Sequence, residues 1–311
     1  MELLTKKEPQ YISIFQFTKM FPNEEVATRF FEETRWPSGV RCPRCDSKES
    51  IRAMKSKKPQ PYHCKDCRKY FSVKVGTIME ASPIPLQKWL MTIYLMTTAR
   101  KGISSCQLHR QIGLSQKSAY FLLSRVRKAW ETSEFMLSGS VEVDEAYFGG
   151  KEKNKHADKR FYSGRGIANK FPVVAMKERE RGRIKAFPVK ATDSITLQRS
   201  IKENVVAGSN LYTDEHRAYI GISGYNHKAV KHNVGEYVKG MASTNGVESF
   251  WALLKRAYIG TFHNISEKHL HRYVSEFATR HNMLNMNPTE CFTQTVRMMI
   301  DKRLTYKELK A

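Results

Sequence analysis

The polar and apolar positions of the chain change period several times, and each change marks an element. Val247, Phe250, Trp251, Leu254 and Tyr258 recur at i, i+3, i+4, i+7 and i+11, the stripe of an amphipathic helix. Asn245, Glu248 and Lys255 share another arc, about 80° wide at 100° per residue, so a packed helix presents an amide, a carboxylate and an ammonium away from its buried side. Ser243 or Thr244 is placed to cap it, and Glu248 sits where the helix dipole favours an anion. Earlier in the chain, Asn23 with Glu24 and Glu25 opens a short helix over Val26, Phe30 and Phe31 that runs to about Arg35. Ser82-Pro83-Ile84-Pro85 punctuates the chain before a helix with a broad apolar face, Leu86, Trp89, Leu90, Ile93 and Met96. Ser104 or Ser105 caps a further helix ending near Gly113, and Ser115 caps one running through Arg125, Arg127 and Lys128. Two capped helices with glycine in the turn follow helix-turn-helix grammar.

From Ser138 the period shifts to two. Val141 to Phe148 alternates as a strand, closed by Gly149-Gly150, with Glu142 and Asp144 on one face and Val141 and Val143 on the other. Pro172 to Met176 and Ile184 to Val189 predict two more strands around a charged turn at Arg179 to Gly182. Thr192-Asp193-Ser194 caps a helix containing Ile195, Leu197 and Ile201; Asn210 to Asp214 is a short strand ending in a carboxylate, and Lys228 to Val230 is placed in another. Three strands, a helix, two strands and the helix of Glu248 is the order of an RNase H-like domain. The fold class expected is α/β: an RNase H-like mixed sheet flanked by helices, preceded by a helical helix-turn-helix region and, around the two Cys-x2-Cys pairs Cys42/Cys45 and Cys64/Cys67, a small zinc ribbon.

Composition adds a partner. A formal charge of +23 on 311 residues, spread along the chain, points to a polyanion, with nucleic acid ahead of a membrane surface. The chain has no run of 18 apolar residues, and its N-terminus lacks the basic start and apolar centre of a signal peptide. It is therefore expected to be soluble and cytoplasmic, nucleoid-associated rather than membrane-bound. The basic stretch from Lys151 to Arg165 suits a phosphate backbone. In the helix-turn-helix, Gln116, Lys117 and Tyr120 are nearest to base edges, and Arg125 and Arg127 are expected on phosphate.

Cys42, Cys45, Cys64 and Cys67 form two Cys-x2-Cys knuckles. Four thiolates at that spacing suit one structural zinc better than two disulfides in a reducing compartment. Cys106 and Cys291 are far from the cluster in sequence and are expected to be small buried residues. His63 is expected on the surface. Asp144 on the first strand, Asp214 at the end of the fourth and Glu248 on the following helix converge in an RNase H-like sheet. Oxygen ligands with open positions suit Mg²⁺ or Mn²⁺. Asp193 is set aside as a helix cap.

Several motifs occur in one order: Val-Asp-Glu-Ala-Tyr-Phe-Gly-Gly-Lys at 143–151, Tyr-Thr-Asp-Glu-His-Arg-Ala-Tyr at 212–219, the stretch from Asn245 to Arg256, and Tyr258-Ile259-Gly260-Thr261-Phe262-His263. Together they resemble bacterial insertion-sequence transposases of the DDE type with an N-terminal zinc ribbon. Trp36-Pro37-x-Gly39-Val40-x-Cys42-Pro43-x-Cys45 resembles the opening of that family's ribbon. The resemblance implies binding to the element's terminal inverted repeats, divalent-metal-dependent strand transfer into target DNA, and a homodimer or higher oligomer on paired ends. Asp144 and Asp214 match the family's two aspartates. Asn245 and Glu248 both lie in the motif of the third position. Glu248 is the better ligand for a hard cation because it brings a full charge, leaving Asn245 to cap the helix or orient its neighbour. Lys255 and Arg256 follow as DNA contacts.

The organisation expected is a helical segment (1–36), a zinc ribbon (37–80), a helix-turn-helix region (81–135), a catalytic domain (136–290) and a C-terminal helical tail (291–311). Two other functions fit the same features: a DNA-binding protein whose RNase H-like domain is inactive, and a metal-dependent nuclease that cuts without joining.

Overall fold

The computed structural model describes residues 11–131, 135–150, 156, 170–229 and 245–310. These fall into two compact units, Met1–Trp130 with Asn285–Ala311, and Glu131–Leu284. The first opens with α1 (Ile14–Met20) and α2 (Glu24–Arg35). The Asn23 side chain accepts from the Val26 N–H, the cap that the acidic first turn predicts. A three-stranded antiparallel sheet follows, β1 (Ile51–Ala53), β2 (Tyr62–Cys64) and β3 (Tyr70–Phe71) in sequence order. His63 is half-buried there, its ring 4.6 Å from that of Tyr70.

Then come α3 (Leu86–Thr98), α4 (Ser105–Ile112) and α5 (Gln116–Ala129). Ser104 caps α4 through the Gln107 N–H, and Ser115 caps α5 through the Ser118 N–H. Gly113 ends α4 at φ 62, the left-handed cap that glycine adopts without a Cβ penalty. Cys106, expected to be buried, is exposed at the start of α4, because Leu108 carries the buried side of that helix.

The second unit is built on a five-stranded mixed sheet of order β6-β5-β4-β7-β8. Its strands are β4 (Ser140–Phe148), β5 (Phe171–Glu178), β6 (Ile184–Pro188), β7 (Asn210–Thr213) and β8 (Asn226–Ala229), with α6 (Ser194–Asn204) between β6 and β7. The first three strands pair antiparallel, whereas β7 and β8 run parallel to β4. After β8 come α7 (Asn245–Ala257), a π-helical turn (Tyr258–Phe262) and α8 (Glu267–Asn282). Each face of the sheet carries its own core. Val141, Val143, Val174, Met176 and Leu211 pack with Leu197 and Ile201 of α6. Ala146, Phe148, Val173 and Ala175 pack with Val247, Phe250, Trp251 and Leu254 of α7 and with Val274 and Phe277 of α8. Burial on both sides is why 172–176 reads as an unbroken apolar run rather than an alternating one. This is the mixed sheet flanked by helices that the order of elements predicts. Asp193 caps α6 by accepting from the Thr196 N–H.

The chain then returns to the first unit. In α9 (Pro288–Met298) a capping box of Asn287 and Glu290 sets the start, and Phe292 and Val296 join a core that holds Phe17, Phe21, Trp89 and Leu122. A last helix, α10 (Tyr306–Lys310), follows. The C-terminal helices are therefore part of the first unit rather than an appendage of the second. The basic stretch 151–165, apart from His156, lies outside the described residues, as do Val230 and the cap candidates Ser243 and Thr244.

Candidate active site

Parallel pairing of β4 with β7 places the two aspartates. The register runs from Ser140↔Asn210 to Glu142↔Tyr212, so two residues further along each strand come Asp144 and Asp214, at the carboxyl end of β7. That end of a parallel pair is where α/β sheets open a crevice. Asp144 Oδ2 accepts from Trp251 Nε1 at 3.0 Å, and its Oδ1 accepts from the Glu145 N–H at 2.8 Å. Asp214 Oδ1 accepts from the His216 N–H at 3.0 Å. A cleft of about 450 Å³ is lined by these aspartates with Glu145, Glu248, Trp251, Ala252 and Lys255.

The position of α7 follows from its apolar stripe and from a polar tether. Val247, Phe250, Trp251 and Leu254 are buried, leaving Asn245, Glu248, Lys255 and Arg256 exposed. Glu142 is 3% exposed. Its Oε2 accepts from the Val247 N–H at 2.9 Å, and its Oε1 accepts from Arg179 Nε at 2.7 Å. Lys177 Nζ donates to the Gly246 carbonyl at 3.2 Å. A carboxylate from the sheet thus satisfies a first-turn amide that the helix itself leaves open. Gly246 is there because the helix start comes so close: a Cβ on it would stand 2.7 Å from Glu142 Oε2.

Asp144, Glu145 and Asp214 each offer one carboxylate oxygen, all within 4.8 Å of one another. Glu248 lines the same cleft but is not part of that cluster. Burial, and then the charges of Asp214 and Glu248, push the Asp144 carboxyl up to about 6, against the lowering pull of the Glu145 N–H and Trp251. Burial, Asp214 and Asp144 push Glu145 up to about 8. Crowded acids with all-oxygen donors have the chemistry of a hard divalent cation site. The sequence pattern alone does not single out Glu145; the signal for it is the consecutive Asp-Glu pair on a strand that outruns its parallel neighbour. Glu142 and Trp251 were legible as strand-face and stripe residues, but not as partners of the helix start and of Asp144.

In the first unit, one Sγ from each of Cys42, Cys45, Cys64 and Cys67 lies within 4.8 Å of the others, with Cys42 to Cys67 and Cys45 to Cys64 both at 3.6 Å. Zinc–sulfur bonds of about 2.3 Å in a tetrahedron separate the sulfurs by about 3.8 Å, so the cluster fits a zinc ribbon and is far too open for disulfides. The residue after the second cysteine of each knuckle, Asp46 or Arg68, takes a left-handed φ, 57 or 56. The two turns are thus alike.

The helix-turn-helix candidates divide. Gln116 and Lys117 are exposed at the start of α5, with Gln116 Nε2 donating to Ser105 Oγ, and Tyr120 is half-buried. Arg125 and Arg127 do not lie where phosphate contact requires: they are 8% and 2% exposed. Arg125 Nε donates to the Leu304 carbonyl, and its guanidinium lies 4.3 Å from the Phe121 ring centroid. The C-terminal half of α5 is enclosed almost all round, and that turns both arginines inward.

Residues 136–282 match a family model described as an ISXO2-like transposase domain, and residues 22–70 one described as a transposase zinc-ribbon domain. A Halobacterium salinarum protein, the uncharacterized protein in transposable element ISH50, is 31% identical over 273 residues, which span 84% of this chain and 92% of that one. Among solved structures, a chain of the simian T-cell lymphotropic virus intasome in complex with PP2A regulatory subunit B56 gamma aligns over 59% of this chain and 65% of that one. Its identity is 12% and its TM-score 0.29. Among the described residues no helix is long and apolar enough to cross a membrane.

Proposed function

The chain belongs to the ISXO2-like insertion-sequence transposases that carry a zinc ribbon ahead of a DDE domain, and from that membership we propose that it binds the terminal inverted repeats of its element and catalyses DNA cleavage and strand transfer. The observation that carries this is the meeting of Asp144 and Asp214 in a cleft that Glu248 also lines. These three residues would hold the catalytic cations, Mg²⁺ or Mn²⁺. When bound, a pair of such ions activates an attacking hydroxyl and stabilises the leaving oxygen of an in-line phosphoryl displacement.

The chain's own residues bind and orient. Trp251 fixes the Asp144 carboxylate, and Glu142 holds the start of α7 so that Glu248 faces the cleft. Asn245, one turn before Glu248, supports the helix start. Lys255, which lines the cleft, and Arg256 hold DNA phosphates beside the reacting bond. Gln116, Lys117 and Tyr120 read the element end. Cys42, Cys45, Cys64 and Cys67 bind one zinc, which organises a ribbon too small to fold on an apolar core. Two or more copies act on paired ends.

Incubating the protein with element-end DNA, a target plasmid and Mn²⁺ tests this. Joined products support it, cleavage alone makes the protein a nuclease, and a mobility shift alone makes it a DNA-binding protein.

A further inference from the structure

We propose that Glu145 is a further metal ligand of the cleft, holding one divalent cation together with Asp144 and Asp214, while Glu248 serves the side of the cleft formed by α7. This rests on the metal-dependent reading above and adds a residue to it. Because β4 runs to Phe148 and β7 stops at Thr213, residues 144 and 145 both project beyond the end of β7, where Asp214 leaves the sheet. The Asp144 carboxylate accepts from the Glu145 N–H, which swings it along the strand towards its neighbour rather than straight out from the face. One oxygen from each of the three acids then lies within 4.8 Å of the other two. Metal–oxygen bonds of about 2.1 Å place ligand oxygens about 3.0 to 4.2 Å apart in an octahedron, so small side-chain rotations close the site.

The hydrogen bonding points the same way. Asp144 has donors on both oxygens, and Asp214 has one on Oδ1. Glu145 Oε1 is buried and, among the described residues, meets no donor. A buried acceptor is almost always satisfied, and an exception calls for a physical reason. A cation shared with the two neighbouring acids supplies it. Glu248 stands outside the cluster, so Asp144, Glu145 and Asp214 form one donor set, and the acid of α7 lines the cleft beside it.

The test is Mn²⁺ binding to the full chain without DNA, measured by titration calorimetry or by the loss of free-ion electron paramagnetic resonance. Glu145→Gln should weaken the tightest site about tenfold or more, as Asp144→Asn should. Glu145→Asp, which keeps the charge but shortens the reach, should weaken it too. Circular dichroism checks that each variant is folded. If the wild type binds Mn²⁺, Asp144→Asn loses it and folded Glu145→Gln binds as the wild type does, Glu145 is not a ligand. If Glu145→Gln fails to fold, a Glu145→Asp variant with wild-type affinity overturns the proposal equally. If the wild type binds no Mn²⁺, the metal-dependent reading itself falls.

Discussion

Gly246→Ala sets two physical effects against each other, and the structure decides the sign. Gly246 is the second residue of α7 and does not take a left-handed φ, so helix propensity alone predicts a gain of about 1 kcal/mol for alanine. The added Cβ, however, would stand 2.7 Å from Glu142 Oε2 and 3.2 Å from its Cδ and Oε1. Ordinary contact requires the carboxylate to retreat by about 0.7 Å. Glu142 is 3% exposed and held by Arg179 on one oxygen and by the Val247 N–H on the other, so retreat breaks the bond to Val247. A hydrogen bond to a charged group contributes about 1.5–3 kcal/mol. The net expectation is a loss of about 0.5–2 kcal/mol. Denaturant unfolding of the full chain measures it, and hydrogen exchange at the Val247 amide locates it. Strand transfer should fall with it, because Glu248 lies two residues beyond Gly246. A Gly246→Ala protein that is more stable than the wild type, with Val247 still protected, would refute the tether.

The cleft, the ribbon and α5 each give a further expected outcome. Trp251→Phe keeps most of the buried stripe but removes the donor to Asp144 Oδ2; single-turnover strand transfer should drop roughly tenfold to hundredfold with end binding unchanged in a mobility-shift assay. Protein purified without chelator should contain one zinc per chain by elemental analysis, and Cys42→Ser should lose it and weaken end binding while the catalytic unit keeps its thermal transition. DNA affinity should fall steeply with salt, and Lys117→Ala or Tyr120→Ala should erode the preference for element ends. Arg127→Ala, by contrast, should lower the melting temperature and leave the salt slope unchanged, because Arg127 is 2% exposed.

What could be read from the sequence was local. Asn23, Ser104, Ser115 and Asp193 cap their helices because a cap depends only on residues two or three positions away. The stripe of α7 and the alternation of β4 follow from their periods for the same reason. The escapes involve residues distant in sequence. Alternation assigns Glu145 to the face opposite Asp144, and only the parallel register with the shorter β7 brings the two together with Asp214. Glu142 reads as a strand acid until α7 folds over it. The net charge of +23 does not say which arginines face solvent, so the pattern alone puts Arg125 and Arg127 on phosphate although packing encloses them. The return of α9 to the core of Phe17 and Trp89 leaves no periodic signal beyond its own apolar face.

If Asp144 and Asp214, where β4 runs past the end of β7, carry strand transfer, the most direct test compares the wild type with Asp144→Asn on pre-cleaved element ends and a target plasmid in Mn²⁺. The wild type should join ends to the plasmid, and Asp144→Asn should shift the same DNA with the same affinity yet give no joined product. Joining by Asp144→Asn at the wild-type rate would contradict the account.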